Sequence, residues 1–361
     1  MRKVAVVSIC FGLLFIAACG SNDEGEEKLQ EHEEMEKQPD DEKQPEEEVV
    51  YTETEPLTGV GVEEVSPYRP MAVMVNNHPA ARPQSGVSQA DIVYEVLTEG
   101  DITRWLAIFK SNPPEEIGPI RSARPYFIDL ADGYDALFVT HGWSPAAERQ
   151  LRSSATPYLN GLTYDGTIFQ RNPERRAPHN SYVTYERVLE GFRQASVEVE
   201  REVSANHFEE ERISYEDDIL SSEVTVHYRN PYTVQYIYNE EMDAYERFSN
   251  GEPTIDFANQ ERISLQNVFI IEAPHRVVDD EGRRQIYFND GGQGILLQNG
   301  KALRVEWMNE QGRIVPMKDG SVVPFLPGQT WINVIPSSPG IAQYVSGLEN
   351  GEMSSEEGNG Y

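Results

Sequence analysis

The chain has 361 residues, 39 % hydrophobic and 10 % aromatic, with a formal charge of −31 at pH 7. That is room and apolar content for two domains of ordinary size. A chain this acidic, with no extended basic patch, repels nucleic acid and acidic headgroups at long range, which argues against a nucleic-acid partner.

Arg2 and Lys3 precede an apolar stretch over residues 4–18, too short for a transmembrane helix and right for a secretory signal. It ends in Ile16-Ala17-Ala18-Cys19, which resembles the bacterial lipobox. Small residues before the cysteine and a polar segment after it agree with lipidation (palmitate among the acyl groups) at Cys19. Residues 1–19 are thus read as a lipoprotein signal peptide, and the chain is placed on the cell membrane, lipid-anchored and facing outside the cytoplasm. Cys10 leaves with the signal, so disulfides and thiol chemistry are not expected in what remains.

Residues 20–65 read as a disordered acidic tether. Residues 20–56 alone hold sixteen Asp/Glu against three Lys, with almost nothing to bury. As a flexible coil that segment spans roughly 30–40 Å. Residues 66–192 differ: fourteen acids face twelve bases, eleven of them Arg. This bias points to planar, bidentate contacts with carboxylate or phosphate.

Residues 66–196 read as an N-terminal mixed α/β domain. Apolar runs at 71–75, 91–97, 103–109 and 134–141 predict strands, the second and third joined as a hairpin through Gly100. Pro125 and Pro145 predict helices over 126–131 and 144–153, the latter capped by Ser144. An apolar stripe at Tyr182, Tyr185, Val188, Leu189 and Phe192 predicts a helix over 182–195. Residues 197–220 form an acidic connector. Residues 221–346 carry short strand patterns separated by turns such as Asn250-Gly251 and Asn299-Gly300, which predict a smaller β-rich C-terminal domain. Residues 347–361 read as a flexible tail. The fold class expected is α+β.

Chemistry concentrates in the first domain. In Gly118-Pro119-Ile120-Arg121-Ser122-Ala123-Arg124-Pro125, a helix start lies beside two guanidinium groups, a ready anion site. Glu95, within a strand, and Glu99, in the turn after it, either orient those arginines or ion-pair with them structurally. Arg104, Ser122, His141, His179 and Asn180 complete the candidate ligand-binding set. Two carboxylates would also suit glycan cleavage, with Glu95 or Glu99 as acid/base and His141 or His179 assisting. His78, His141 and His179 have the chemistry of a three-His metal site, but lack helical ligand spacing. No metal and no cofactor is expected. Gly142-Trp143-Ser144-Pro145-Ala146 imitates a nucleophile elbow. However, Pro145 has no N–H for an oxyanion hole, so Ser144 reads as a helix cap.

The segments Arg69-Pro70-Met71-Ala72-Val73-Met74-Val75-Asn76-Asn77, Ala81-Arg82-Pro83-Gln84-Ser85-Gly86, Ala90-Asp91-Ile92-Val93-Tyr94-Glu95 and Glu99-Gly100-Asp101-Ile102-Thr103-Arg104, with residues 118–125, resemble the YerB-like lipoprotein family of bacilli and relatives. Ala177-Pro178-His179-Asn180 and Leu326-Pro327-Gly328-Gln329-Thr330-Trp331-Ile332 fit it too. The resemblance spans roughly residues 60–340 and implies a two-part extracytoplasmic module of unknown function, with no catalytic assignment. Three functions remain open: a binding or regulatory module for an anionic envelope ligand or partner protein, an envelope hydrolase, and a protein-facing module whose second domain docks a membrane enzyme.

Overall fold

Six consecutive buried residues, Met71–Asn76, form the strand that anchors the first half (β1). The computed structural model describes residues 51–229 and 232–348. The predicted signal, Cys19, residues 20–50 of the predicted tether and residues 349–361 of the predicted tail lie outside the described residues.

After β1 come β2 (Ile92–Leu97) and β3 (Thr103–Phe109), which pair antiparallel as the predicted hairpin. Helix α1 (Pro125–Asp132) begins at its proline, and β4 (Leu137–Thr140) follows. In α2 (Pro145–Ser153) the Ser144 Oγ accepts from the Ala147 N–H at 3.2 Å, so the serine is a cap. Then come β5 (Tyr158–Asn160), β6 (Ser181–Thr184) and α3 (Tyr185–Gln194). The second half supplies β7 (Glu223–Arg229), β8 (Tyr232–Asn239), β9 (Ala244–Ser249), β10 (Asn267–Ala273), β11 (Gly292–Gln298), β12 (Lys301–Glu310), β13 (Arg313–Lys318), β14 (Ser321–Val322) and β15 (Thr330–Pro336).

One sheet takes strands from both halves, in the order β14-β13-β12-β11-β10-β15-β2-β3-β1-β4-β5. The join is β15, parallel to β10 on one side and to β2 on the other, with Asn333 opposite Glu95. Strands β1, β4 and β5 are parallel to one another. Alternation sends side chains to two cores. Val93, Leu97, Trp105 and Trp331 face a cluster shared with α3 and with β7–β9 of a second sheet. Tyr94, Val96, Leu106 and Ile332 face α1 and α2.

The secondary structure corrects two expectations. Strands dominate the described residues and helices are few, so the chain is β-rich rather than a balanced α+β with a mixed α/β first domain. One cause is visible at residues 182–184, expected as helix: Tyr182 and Val183 pair with the short strands at Phe169–Arg171 and Glu116–Ile117, and Thr184 then caps α3. Residues 51–65, expected within the tether, are ordered. Glu53–Thr54 pairs with Gly61–Val62, Leu57 is fully buried, and the buried Glu55 carboxylate lies 3.8 Å from Lys110.

Candidate functional site

The carboxyl ends of the three parallel strands β1, β4 and β5 lead into Asn77-His78, His141-Gly142 and Gly161. In open parallel arrangements this edge is where ligands bind, at the point where successive connections leave to opposite sides. Here β1 connects outward to β2 and β3, while β4 and β5 lie on its other side.

Residues 118–124 are threaded across that edge by backbone bonds. Asn76 N–H donates to Pro119 O at 2.8 Å, Arg121 N–H to Met74 O at 2.8 Å, His141 N–H to Arg121 O at 3.1 Å, and Ala123 N–H to Gly142 O at 3.0 Å. The segment is therefore positioned at almost every residue, and its side chains are presented from a fixed frame.

Three guanidinium groups gather there around one carboxylate. Glu99 accepts from Arg104 at 2.7 Å and from Arg124 Nε at 2.5 Å, forming a fork with both. Arg104 also donates to Ser122 O at 2.7 Å, and Arg124 to Ala123 O at 2.6 Å. Burial, then the Arg124 and Arg121 charges working against Glu99, push the Arg104 pKa down to about 9, so it stays charged at neutral pH. Half-buried Arg121 is different: its guanidinium has no hydrogen-bond or ion-pair partner among the described residues. Burial and the Arg124 charge, opposed by Glu99, lower its pKa too. Three guanidinium charges face one carboxylate, an excess of two positive charges, and Arg121 is the group left without an ion pair among the described residues.

The Arg121 charge also reaches two of the histidines, His141 and His179. His78 and His179 stack with ring centroids 4.7 Å apart and planes at 22°. The Asn76 amide donates to His179 Nδ1 at 2.8 Å, and the Ala80 N–H to His78 Nδ1 at 3.1 Å. Neutral rings held this way carry their proton on Nε2, which finds no acceptor among the described residues. Burial, then His78, Arg121 and Arg175, hold the His179 pKa below its ordinary value. His141 is fully engaged. A guanidinium can only donate, so His141 Nε2 accepts from Arg171 at 3.0 Å, and its Nδ1–H donates to Ser181 Oγ at 2.7 Å. Burial and Arg171 lower its pKa. The Asn180 Oδ1 accepts from the same Arg171 at 3.1 Å. Asn160 Nδ2, buried at the end of β5, has no acceptor among the described residues.

The structure thus brings Glu99, Arg104, Arg121, Ser122, Arg124, His141, His179 and Asn180 to one edge, with Asn180 tied to His141 through Arg171. Glu95 is a correction. It points to the opposite face of the sheet and orients none of the three arginines. Its fully buried carboxylate accepts from Arg247 at 2.7 Å, Tyr232 at 2.6 Å, Thr103 at 2.8 Å and Trp331 at 3.1 Å. Burial raises its pKa, but Arg247 and the donors outweigh that and leave it below the usual carboxylate range. Period-two alternation is the reason: Glu95 pairs with Trp105, so Arg104 faces the other way. Sequence reasoning missed Asn76 and undervalued His78, although Asn76-Asn77-His78-Pro79 directly follows a buried strand. No group of three His, Cys, Asp or Glu among the described residues is arranged to hold a metal.

Residues 57–198 match the family described as "Protein of unknown function (DUF3048) N-terminal domain", and residues 224–332 match its C-terminal domain. A protein of Bacillus subtilis (strain 168) named "Putative lipoprotein YerB" is 45 % identical over 283 residues, covering 78 % of this chain and 86 % of the relative. A solved structure, "Crystal structure of YerB protein from Bacillus subtilis", superposes with a TM-score of 0.76 at 44 % identity, covering 81 % of this chain and 98 % of that one.

Proposed function

We propose, for a chain that belongs to the DUF3048 family of proteins of unknown function, that it is a membrane-anchored extracytoplasmic lipoprotein that binds an anionic envelope component. The anchor is Cys19, in keeping with the signal-like first nineteen residues and the name of the Bacillus relative. The ligand offers a phosphate or carboxylate group to Arg121, with the Nε2–H groups of His78 and His179 as further donors. One observation carries the reading: the half-buried Arg121 guanidinium, unpartnered among the described residues, sits beside a fork in which two arginines already share Glu99. An anion there would relieve the repulsion among three like charges and receive charge-assisted hydrogen bonds.

The envelope-hydrolase reading loses its acid/base. Glu95 has no exposed surface and a depressed pKa, and Glu99 is clamped by two guanidinium groups. A general acid needs a carboxyl held protonated within reach of substrate.

The test is calorimetric titration of inorganic phosphate into the protein and into Arg121→Ala. Loss of one charged donor is expected to weaken binding about tenfold or more. Arg152→Ala, which removes an exposed arginine that pairs with Glu148 and lies 5.7 Å from the Trp143 ring centre, should leave it unchanged. Equal affinity of Arg121→Ala and the parent protein would end the proposal.

A further inference from the structure

The second half of the chain has a hollow of its own. A cavity of about 630 Å³ is lined by β10, β11 and β12 of the main sheet together with residues from the segment 337–348. That is in the size range of small-molecule sites. Register decides what the sheet offers it. Ile270, Ile295 and Arg304 stand in one row across β10, β11 and β12, and side chains directly opposite one another share a face. Glu272 lies two residues beyond Ile270, and Gln293 two residues before Ile295, so both leave from that same face. Ile270 and Ile295 belong to the core. Further out the face turns polar: Glu272 is half-buried, and Gln293 and Arg304 are exposed. All three line the cavity.

Each of the three has a polar group without a partner. One Glu272 oxygen accepts from the Ile341 N–H at 2.9 Å, at the start of the short helix Ile341–Tyr344, which holds the carboxylate at the cavity wall. Its other oxygen has no partner among the described residues. Neither the Gln293 amide nor the Arg304 guanidinium has a hydrogen-bond or ion-pair partner among the described residues. Opposite charges therefore face one cavity without meeting. Their strands are separated by β11, which puts them two strand spacings apart, about 10 Å. The remaining titratable residue of the described lining is His227, whose Nε2 lies 2.9 Å from Ser346 Oγ. Ile341 and Val345 add apolar surface.

We infer that this cavity binds a short peptide with both ends free, its ammonium group on Glu272, its peptide amide on Gln293 and its carboxylate on Arg304. Carboxylate, amide and guanidinium follow one another across three neighbouring strands, and a dipeptide presents ammonium, amide and carboxylate in the matching order. Two extended residues span about 7 Å, and the Glu272 and Arg304 side chains cover the rest. A free amino acid has both charges but no amide for Gln293. The site uses β10–β12, does not involve Arg121, and stands whether or not an anion binds there.

The probes are alanyl-alanine, its N-acetyl form and its C-terminal amide, each titrated into isotopically labelled protein. Alanyl-alanine is expected to shift the amide signals of residues 292–294 and 341–347. Blocking either end should weaken it about tenfold, the worth of one charge-assisted hydrogen bond. Arg304→Gln should bind alanyl-alanine and its amide equally. Glu272→Gln, which keeps an oxygen for the Ile341 N–H, should bind alanyl-alanine and its N-acetyl form equally. Alanyl-alanine shifts absent from those residues, equal affinity of the protein for free and blocked peptides, or either variant keeping the parent's preference for the free end would each overturn the assignment.

Discussion

Glu95 and Arg247 stand 152 residues apart in the chain and 2.7 Å apart in space, both with no exposed side-chain surface. Arg247 is sandwiched by Trp331 at 4.6 Å and Trp105 at 5.0 Å, and it also donates to Thr254 Oγ1 at 2.6 Å and Ser249 Oγ at 3.0 Å. A pair this deep is costly to break, since removing one partner strands the other charge. Arg247→Met should therefore destabilise the fold by about 3–5 kcal/mol in urea denaturation. The double variant Glu95→Leu/Arg247→Met, which removes both charges, should recover much of that loss. If the double variant were as unstable as the single, stranded charge would not be the cause. At this scale the contrast with Glu99 is instructive: two carboxylates four residues apart serve different ends, because one sits in a strand facing a core and the other in the turn beyond it.

At the scale of elements, the loops between strands place the candidate site groups, and the strands only aim them. Residues 118–124 make no regular element, yet their backbone is bonded to β1 and to the loop after β4, and this fixes where the Arg121 side chain leaves the chain. A second junction is Asp91, just before β2. It accepts from the Ser111 N–H at 3.1 Å, and its own carbonyl accepts from the Thr330 N–H at 3.0 Å, so it ties β2, the end of β3 and the start of β15 together. Burial, opposed by the Ser111 bonds, pushes its pKa up to about 6, against about 3.9 in an unfolded chain. The folded state thus holds this proton where the unfolded state has lost it. The stabilisation is complete below about pH 4 and is lost as pH rises through about 6. The stability difference between the protein and Asp91→Asn should shift by on the order of 2–3 kcal/mol in favour of the variant between pH 4 and 7.5. Thermal melts across that range measure it, and a flat difference would contradict the raised pKa.

At the scale of the whole molecule, β15 decides what can fold. It belongs to the second half of the chain but fills the place between β10 and β2, with Trp331 and Asn333 opposite Val93 and Glu95. Without it, β2 would present to water an unpaired edge whose six residues are all buried in the intact molecule. Residues 51–218 expressed alone should therefore be unfolded or aggregated by circular dichroism, and co-expression with residues 219–348 should restore a soluble complex. A soluble, cooperatively melting N-terminal fragment would show the halves to be independent.

Much of this was legible without coordinates, and the parts that were not share a cause. Strands such as Thr103–Phe109 and Thr330–Pro336, the proline-started helices and the Ser144 cap follow from local pattern, because propensity, caps and turns act over a few residues. The concentration of arginines and histidines between residues 104 and 180 was readable for the same reason. Composition also set the acidic stretch of residues 20–56 apart from the neutral region that follows. What tertiary structure alone decided was partnership. The parallel pairing of β15 with β2, the capture of Glu95 by Arg247 and the isolation of Arg121 all join residues far apart in the chain. No local pattern encodes which distant surface a strand face will meet, and a one-residue change of phase would have turned Glu95 toward the arginines and Arg104 away from them.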